Sequence, residues 1–277
     1  RLPDTVQAAI RTRLDRVDPA SRWVLCIGSV IGREFSRHLV SSLLEDPGTL
    51  DPGLETLKSA GLIQQTRVIP AAHYRFKHAL TQEVTYESLL ARQRRELHRQ
   101  VGEQLEASRD ASEEGLDVLA HHFGEAGVWP KAVRYGLRSA RRLMELSEND
   151  EALALLGRVE RWAEQGADDP DGKRRLREVL LTKERLLDAT GDRPAQKVAI
   201  TRIRELSDAA SPEEQLEVEL READLSGALG DYDQARTRLL GVLEHSRSGG
   251  NHAMQRRALQ SLGLLYWHQE RPEQALP

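Results

Sequence analysis

Leu54-Glu55-Thr56-Leu57-Lys58-Ser59-Ala60-Gly61, followed by Leu62-Ile63-Gln64-Gln65-Thr66-Arg67-Val68-Ile69-Pro70-Ala71-Ala72-His73-Tyr74-Arg75-Phe76, decides the organisation of the front of this chain. The first piece predicts a helix from Leu54 to about Ala60, closed by Gly61, the residue type that enters the left-handed conformation at a helix end without strain. The second predicts two extended segments, Leu62–Ile69 and His73–Phe76, joined by Pro70-Ala71-Ala72. Together they form a two-stranded ribbon.

Upstream, Val6, Ile10, Leu14 and Val17 recur at near-helical spacing and give a first helix one buried face. Asp18 and Pro19 restart the chain, the carboxylate as a cap and the proline where a missing N–H costs nothing. Trp23, Cys26, Ile27, Val30 and Ile31 form the stripe of the second helix, so Cys26 reads as core, with no local base or electropositive setting to activate it. A third helix is predicted from about Phe35 to Leu44, with Phe35, Leu39, Leu43 and Leu44 inward. Short helices, a two-stranded wing and a further helix spell a winged-helix domain over residues 1–95. The helix that would enter a DNA groove offers one cation, Lys58, beside Glu55, which favours packing over base reading.

Residues 96–277 read as helical repeats. Leu97, Val101 and Leu105 lead away from the front domain, and Ser108-Arg109-Asp110-Ala111-Ser112 breaks the pattern. Leu119-Ala120-x-x-Phe123 precedes Gly127-x-Trp129-x-x-Ala132, and Leu262-Gly263-x-x-Tyr266 precedes Glu270-x-Pro272-x-x-Ala275; both fit the tetratricopeptide (TPR) pattern of paired antiparallel helices. Gly191-Asp192-Arg193-Pro194-Ala195 and Gly230-Asp231-Tyr232-Asp233-Gln234-Ala235 are related turns. Gly191 and Gly230 stand 39 residues apart and Ala235 and Ala275 40 apart, against an ordinary period of about 34. Small residues at Ala132, Ala152, Ala235 and Ala275 let helices approach closely. Such a stack exposes a concave surface suited to a protein or peptide partner, with a rigid spacer as the alternative reading. The array reads as cut through at Pro277, which would leave Leu262, Leu265, Tyr266 and Trp267 short of cover.

The chain has 277 residues, mean hydropathy −0.56 and 30% charged residues, with no apolar run approaching the roughly 20 residues of a membrane-spanning helix. One cysteine cannot make an internal disulfide, which suits a cytoplasmic protein. Residues 1–95 hold 14 Lys/Arg against 10 Asp/Glu and the remainder 26 against 34, so no broad basic footprint for nucleic acid is expected. His121 and His122 are adjacent in a helix, point about 100° apart and are not expected to share a metal ion. Lys173-Arg174-Arg175 with Arg177, near Glu178 and Glu184, reads as a solvated helix face.

Leu2-Pro3, Ser29-Val30-Ile31-Gly32-Arg33-Glu34-Phe35 and Phe76-Lys77-His78-Ala79-Leu80-Thr81-Gln82-Glu83-Val84 resemble the signalling ATPases called STAND proteins, above all the bacterial group often fused to class III adenylate or guanylate cyclases, and more distantly regulators related to MalT and AfsR. The resemblance implies a regulatory, non-enzymatic stretch of a longer protein. A winged helix would restrain an upstream P-loop ATPase module of the same chain, which would hold ATP or ADP with Mg, and a TPR-like arm would sense a protein or peptide effector. No Gly-x-x-x-x-Gly-Lys-Ser/Thr loop occurs here, so no nucleotide cofactor, metal or catalytic residue is expected in these residues. Lys77-His78-Ala79 lies where related winged helices carry Met-His-Asp, whose histidine reaches ADP phosphate. Only His78 matches, so two readings stand side by side: a phosphate contact, or a histidine that caps or packs on the wing. The alternative overall reading is a winged-helix DNA-binding regulator with a helical dimerisation arm.

Overall fold

The computed structural model describes residues 4–67, 71–108, 115–168, 170–208 and 211–269. Leu2, Pro3, residues 68–70 and 109–112, Glu270, Pro272, Ala275 and Pro277, with the side chain of Val6, lie outside the described residues. The chain is mainly helical and divides into two compact units, Arg1–Gly136 and Leu137–Pro277.

In the first unit Asp18 accepts a hydrogen bond from the Ser21 N–H at 2.9 Å, so α2 (Pro19–Ile31) begins where the cap and the proline direct it. It buries Val24, Leu25, Cys26, Ile27 and Val30 beside Ile10 and Leu14 of α1 (Asp4–Leu14). Burial pushes the Cys26 thiol up despite nearby Arg22, leaving it a neutral core side chain. Gly32 then ends α2, and Glu34–Ser36 form β1 rather than the first turn of a helix. Ser36 caps the Leu39 N–H, so α3 starts only at Arg37 (Arg37–Leu43). A 3₁₀ turn, Pro47–Thr49, leads into α4 (Leu50–Ser59), which is closed at Gly61 with φ +68°.

The sheet has three strands, not the expected two. β1 and β2 (Ile63–Arg67) both pair antiparallel to the central β3 (His73–Phe76), with Phe35 opposite Tyr74 and Ile63 opposite Phe76. Phe35, Leu39 and Leu43 mimic a helical stripe, but the Phe35 ring is claimed by the sheet: it meets Phe76 edge-on at 5.7 Å and stacks on Tyr74 at 6.1 Å. Arg75 of β3 reaches Glu34 of β1 at 2.7 Å and locks the register. Near its end β2 carries an irregularity between Gln65 and Arg67.

Helices α5 (Ala79–Ser88), α6 (Ala91–Ala107) and α7 (Leu116–Ala126) complete this unit. Leu97 and Val101 of α6 join the same core as α2 and α3, so the compact unit continues past residue 95. Between α6 and α7 two buried rings meet: His98 Nδ1 and His122 Nδ1 share a hydrogen bond of 2.9 Å, and Tyr86 Oη of α5 lies 3.0 Å from His98 Nε2. Burial, reinforced by His121 and Arg94, lowers the His98 pKa to about 3; burial, with His98 and His121, lowers His122 to about 3.

After α8 (Trp129–Glu145), the second unit contains α9 (Asn149–Gln165), α10 (Gly172–Thr190), α11 (Arg193–Leu206), α12 (Pro212–Ala228), α13 (Tyr232–Ser248) and α14 (His252–His268). Both related turns are helix stops followed by helix starts. Gly191 and Gly230 adopt φ +78° and +85°, and the next aspartates cap the Ala195 and Gln234 N–H groups. Leu220, Ala223, Ala235, Leu239, Val242 and Ala258 pack α12, α13 and α14 together. Leu262 and Leu265 belong to that core as well, contrary to the expectation that they lack cover, while Trp267 is 69% exposed. Among the described residues no helix is long and apolar enough to cross a membrane.

Two outcomes test this packing. A Cβ on Gly28 would stand 2.8 Å from the Phe35 ring, so Gly28→Ala should cost about 1–3 kcal/mol in urea unfolding. His98 and His122 hold fewer protons folded than unfolded between about pH 6.5 and about 3. Stability should therefore fall as pH drops through that window, and His122→Leu should flatten the slope while leaving His98 Nδ1 short of a partner at about 1–3 kcal/mol; thermal melts across the window measure both.

Candidate functional site

Within the second unit residues of α10, α11, α12, α13 and α14 line a groove of about 650 Å³. Between the helices that line it, two charges stand where apolar side chains belong. On α10 Glu184 continues the inward stripe of Leu180 and Leu187; on α12 Arg221 lies on the stripe of Val218 and Leu225. Their side chains, 4% and 7% exposed, form an ion pair across the two helices. Gln196 of α11 donates to the Glu184 carboxylate at 2.8 Å, Arg193 donates to Gln196 at 2.6 Å, and Arg193 also pairs with Asp188 at 2.5 Å. From Arg221 the network continues to Glu217 at 3.2 Å, which also meets Arg177 at 3.0 Å and Arg257 of α14 at 3.6 Å. Desolvation raises the Glu217 pKa, but the arginines outweigh it and the carboxyl titrates below its usual range.

Asp224, one turn beyond Arg221, opens onto the groove with Arg257, Ser261, Leu264 and Tyr232. Burial raises its pKa, Asp188 and Glu184 add to that, and a hydrogen bond from Ser261 and the charge of Arg257 only partly offset it. Leu264 is 56% exposed on the groove wall. This arrangement is suited to holding polar and apolar groups of a partner.

Residues 215–277 match the family model of the tetratricopeptide repeat. That span holds α12, α13 and α14, so the tetratricopeptide region supplies most of the groove. A stretch of 172 residues is 29% identical to an uncharacterized protein of Rhizobium meliloti (strain 1021), covering 54% of this chain and 17% of that protein. Among solved structures, the chain is similar to a Signal Transduction ATPase with Numerous Domains (STAND) protein with a tetratricopeptide repeat sensor from Pyrococcus horikoshii. The two are 14% identical, with a TM-score of 0.33 over 99% of this chain and 52% of that one. The chain thus spans about a sixth of the curated relative's length and about half that of the solved chain.

The structure places the residues singled out in the sequence as follows. His78 is exposed at the position preceding α5; its carbonyl accepts from the Thr81 N–H at 3.0 Å, and its ring caps no N–H. His121 is exposed and its ring lies 5.4 Å from that of His122, which is buried; the Nδ1 of His122 is already spent on His98. Among the described residues no group of three or more His, Cys, Asp or Glu is arranged to hold a metal. Lys58 of α4 pairs with Glu55 at 2.8 Å. The cluster after Asp171 is not a uniformly solvated face. Lys173 and Arg174 are exposed, whereas Arg177 turns inward to Ser207, Glu214 and Glu217, because α12 brings two carboxylates over it.

The buried pair makes a test. Arg221→Met strands Glu184 without its cation and should destabilise the chain by about 3–5 kcal/mol, whereas the double substitution with Glu184→Leu should recover most of the loss; denaturant titrations of the three proteins compare them.

Proposed function

We propose that this chain is a non-catalytic regulatory portion of a STAND-type signalling ATPase. The observation that carries the reading is the groove: a tetratricopeptide segment with a charged, partly apolar concavity is a surface built for a protein or peptide partner. In this reading residues 1–95 are a winged helix that restrains an upstream nucleotide-binding module, and residues 96–277 are the arm that senses an effector. Partner binding favours the open arrangement and so permits ADP exchange. The upstream module holds ATP or ADP with Mg; the present residues carry no phosphate-binding loop of the Gly-x-x-x-x-Gly-Lys-Ser/Thr type and contribute no catalytic group. His78 supports the reading by its placement. An exposed imidazole at the N-terminal end of α5, which no side chain caps, is available to a phosphate approaching from another module.

The test uses the longer protein that includes the upstream module. With a fluorescent ADP analogue bound, His78→Ala is expected to speed release about fivefold, the equivalent of one lost hydrogen bond of about 1 kcal/mol, while leaving the melting temperature unchanged. Unaltered release would remove His78 from the nucleotide contact, and absence of nucleotide binding in the longer protein would overturn the STAND reading.

A further inference from the structure

The charges that line the groove, Asp188, Arg193, Asp224 and Arg257, are not all paired with one another. Asp188 is matched by Arg193, and Glu184 by Arg221. Glu217 is shared by Arg177, Arg221 and Arg257, and Glu214 lies 3.7 Å from Arg177. Of the four charges that line the groove, Asp188, Arg193 and Arg257 are thus held in ion pairs, and Asp224 is the fourth. Asp224 forms no ion pair with a described cation; the Ser261 hydroxyl is its hydrogen-bond donor. Asp188 and Asp224 both open onto the cavity, and of the two only Asp188 has its cation there, Arg193. An anionic guest would have to take Arg193 from Asp188 or Arg257 from Glu217, whereas a cationic guest displaces nothing.

We propose that the groove seats the basic side chain, lysine or arginine, of a partner protein's segment, with its charged end on Asp224 and its alkyl stem along Leu264 and Tyr232. The proposal rests on the reading of the groove as a partner site and adds the chemistry of the partner. A long aliphatic stem with a cationic tip fits a wall that is apolar at Leu264, Leu220 and Leu265 and acidic at its base. The carboxylate is costly to the chain on its own, since burial, only partly offset by the Ser261 hydroxyl and the charge of Arg257, disfavours its charged form. A residue kept against the interest of stability, facing a cavity, is the mark of a binding site.

Calorimetry on the 277-residue chain with four blocked pentapeptides, acetyl-Ala-Leu-X-Leu-Ala-amide with X lysine, arginine, norleucine or glutamate, tests this. The lysine and arginine peptides are expected to bind about tenfold more tightly than the norleucine peptide, and the glutamate peptide more weakly than all. Asp224→Asn should bring the lysine and arginine peptides down to the norleucine level, leave norleucine unchanged and raise the melting temperature. Amide resonances of Gln260 and Ser261 should shift with the lysine peptide on the unsubstituted chain, which tests the site without any variant. Equal binding of lysine and norleucine peptides, or a preference that survives Asp224→Asn, overturns the cationic guest while leaving the groove as a partner site. Failure of all four peptides to bind at millimolar concentration overturns both.

Discussion

Arg221 and Glu184 are the pair on which the second unit turns. Two charges removed from water between α10 and α12 are unfavourable unless each satisfies the other and the remaining donors and acceptors are filled. Gln196 and Glu217 do part of that filling, with Arg221 Nε left buried and without a partner, and each recruits further residues: Arg193 through the first, Arg177 and Arg257 through the second. The result is a polar seam through four helices, α10, α11, α12 and α14. Apolar packing alone holds helices in contact but tolerates sliding; directional bonds to a single guanidinium specify one arrangement.

Much of the architecture could be read from local chemistry. Asp18 with Pro19, and the Gly-Asp turns at 191 and 230, mark helix boundaries because capping is decided by neighbours along the chain. The third strand could not be read so, because Phe35, Leu39 and Leu43 satisfy a helical period and only the pairing with Tyr74, far along the chain, shows that Phe35 belongs to a sheet. The same distance in sequence hid the His98–His122 contact, whose members lie on different helices. For the groove the signal was present but indirect: Glu184 and Arg221 interrupt apolar stripes, and a charge in such a position needs a partner from elsewhere. Asp224 carries no comparable mark, since its importance comes from what fails to reach it.

The two proposed contact points differ in kind. His78 is exposed on the first unit, a group whose use depends on something brought to it. Asp224 sits in a prepared cavity whose other charges are already committed to one another. Coupling between them requires an element with two stable arrangements, because a ligand shifts an equilibrium only by its difference in affinity for the two states.

The histidine contact between α6 and α7 has a polarity. Because the two rings face each other through equivalent nitrogens, one Nδ1 carries a hydrogen and the other is bare. If His98 bears it, its Nε2 is bare and accepts from the Tyr86 hydroxyl; if His122 bears it, His98 is protonated at Nε2 and donates to the Tyr86 oxygen. Between neutral rings the two bonds of this line can therefore run in either of two directions, and passing from one to the other requires each imidazole to move its hydrogen to its other ring nitrogen and the Tyr86 hydroxyl to turn. Tautomer, not net charge, is the variable that this buried line stores.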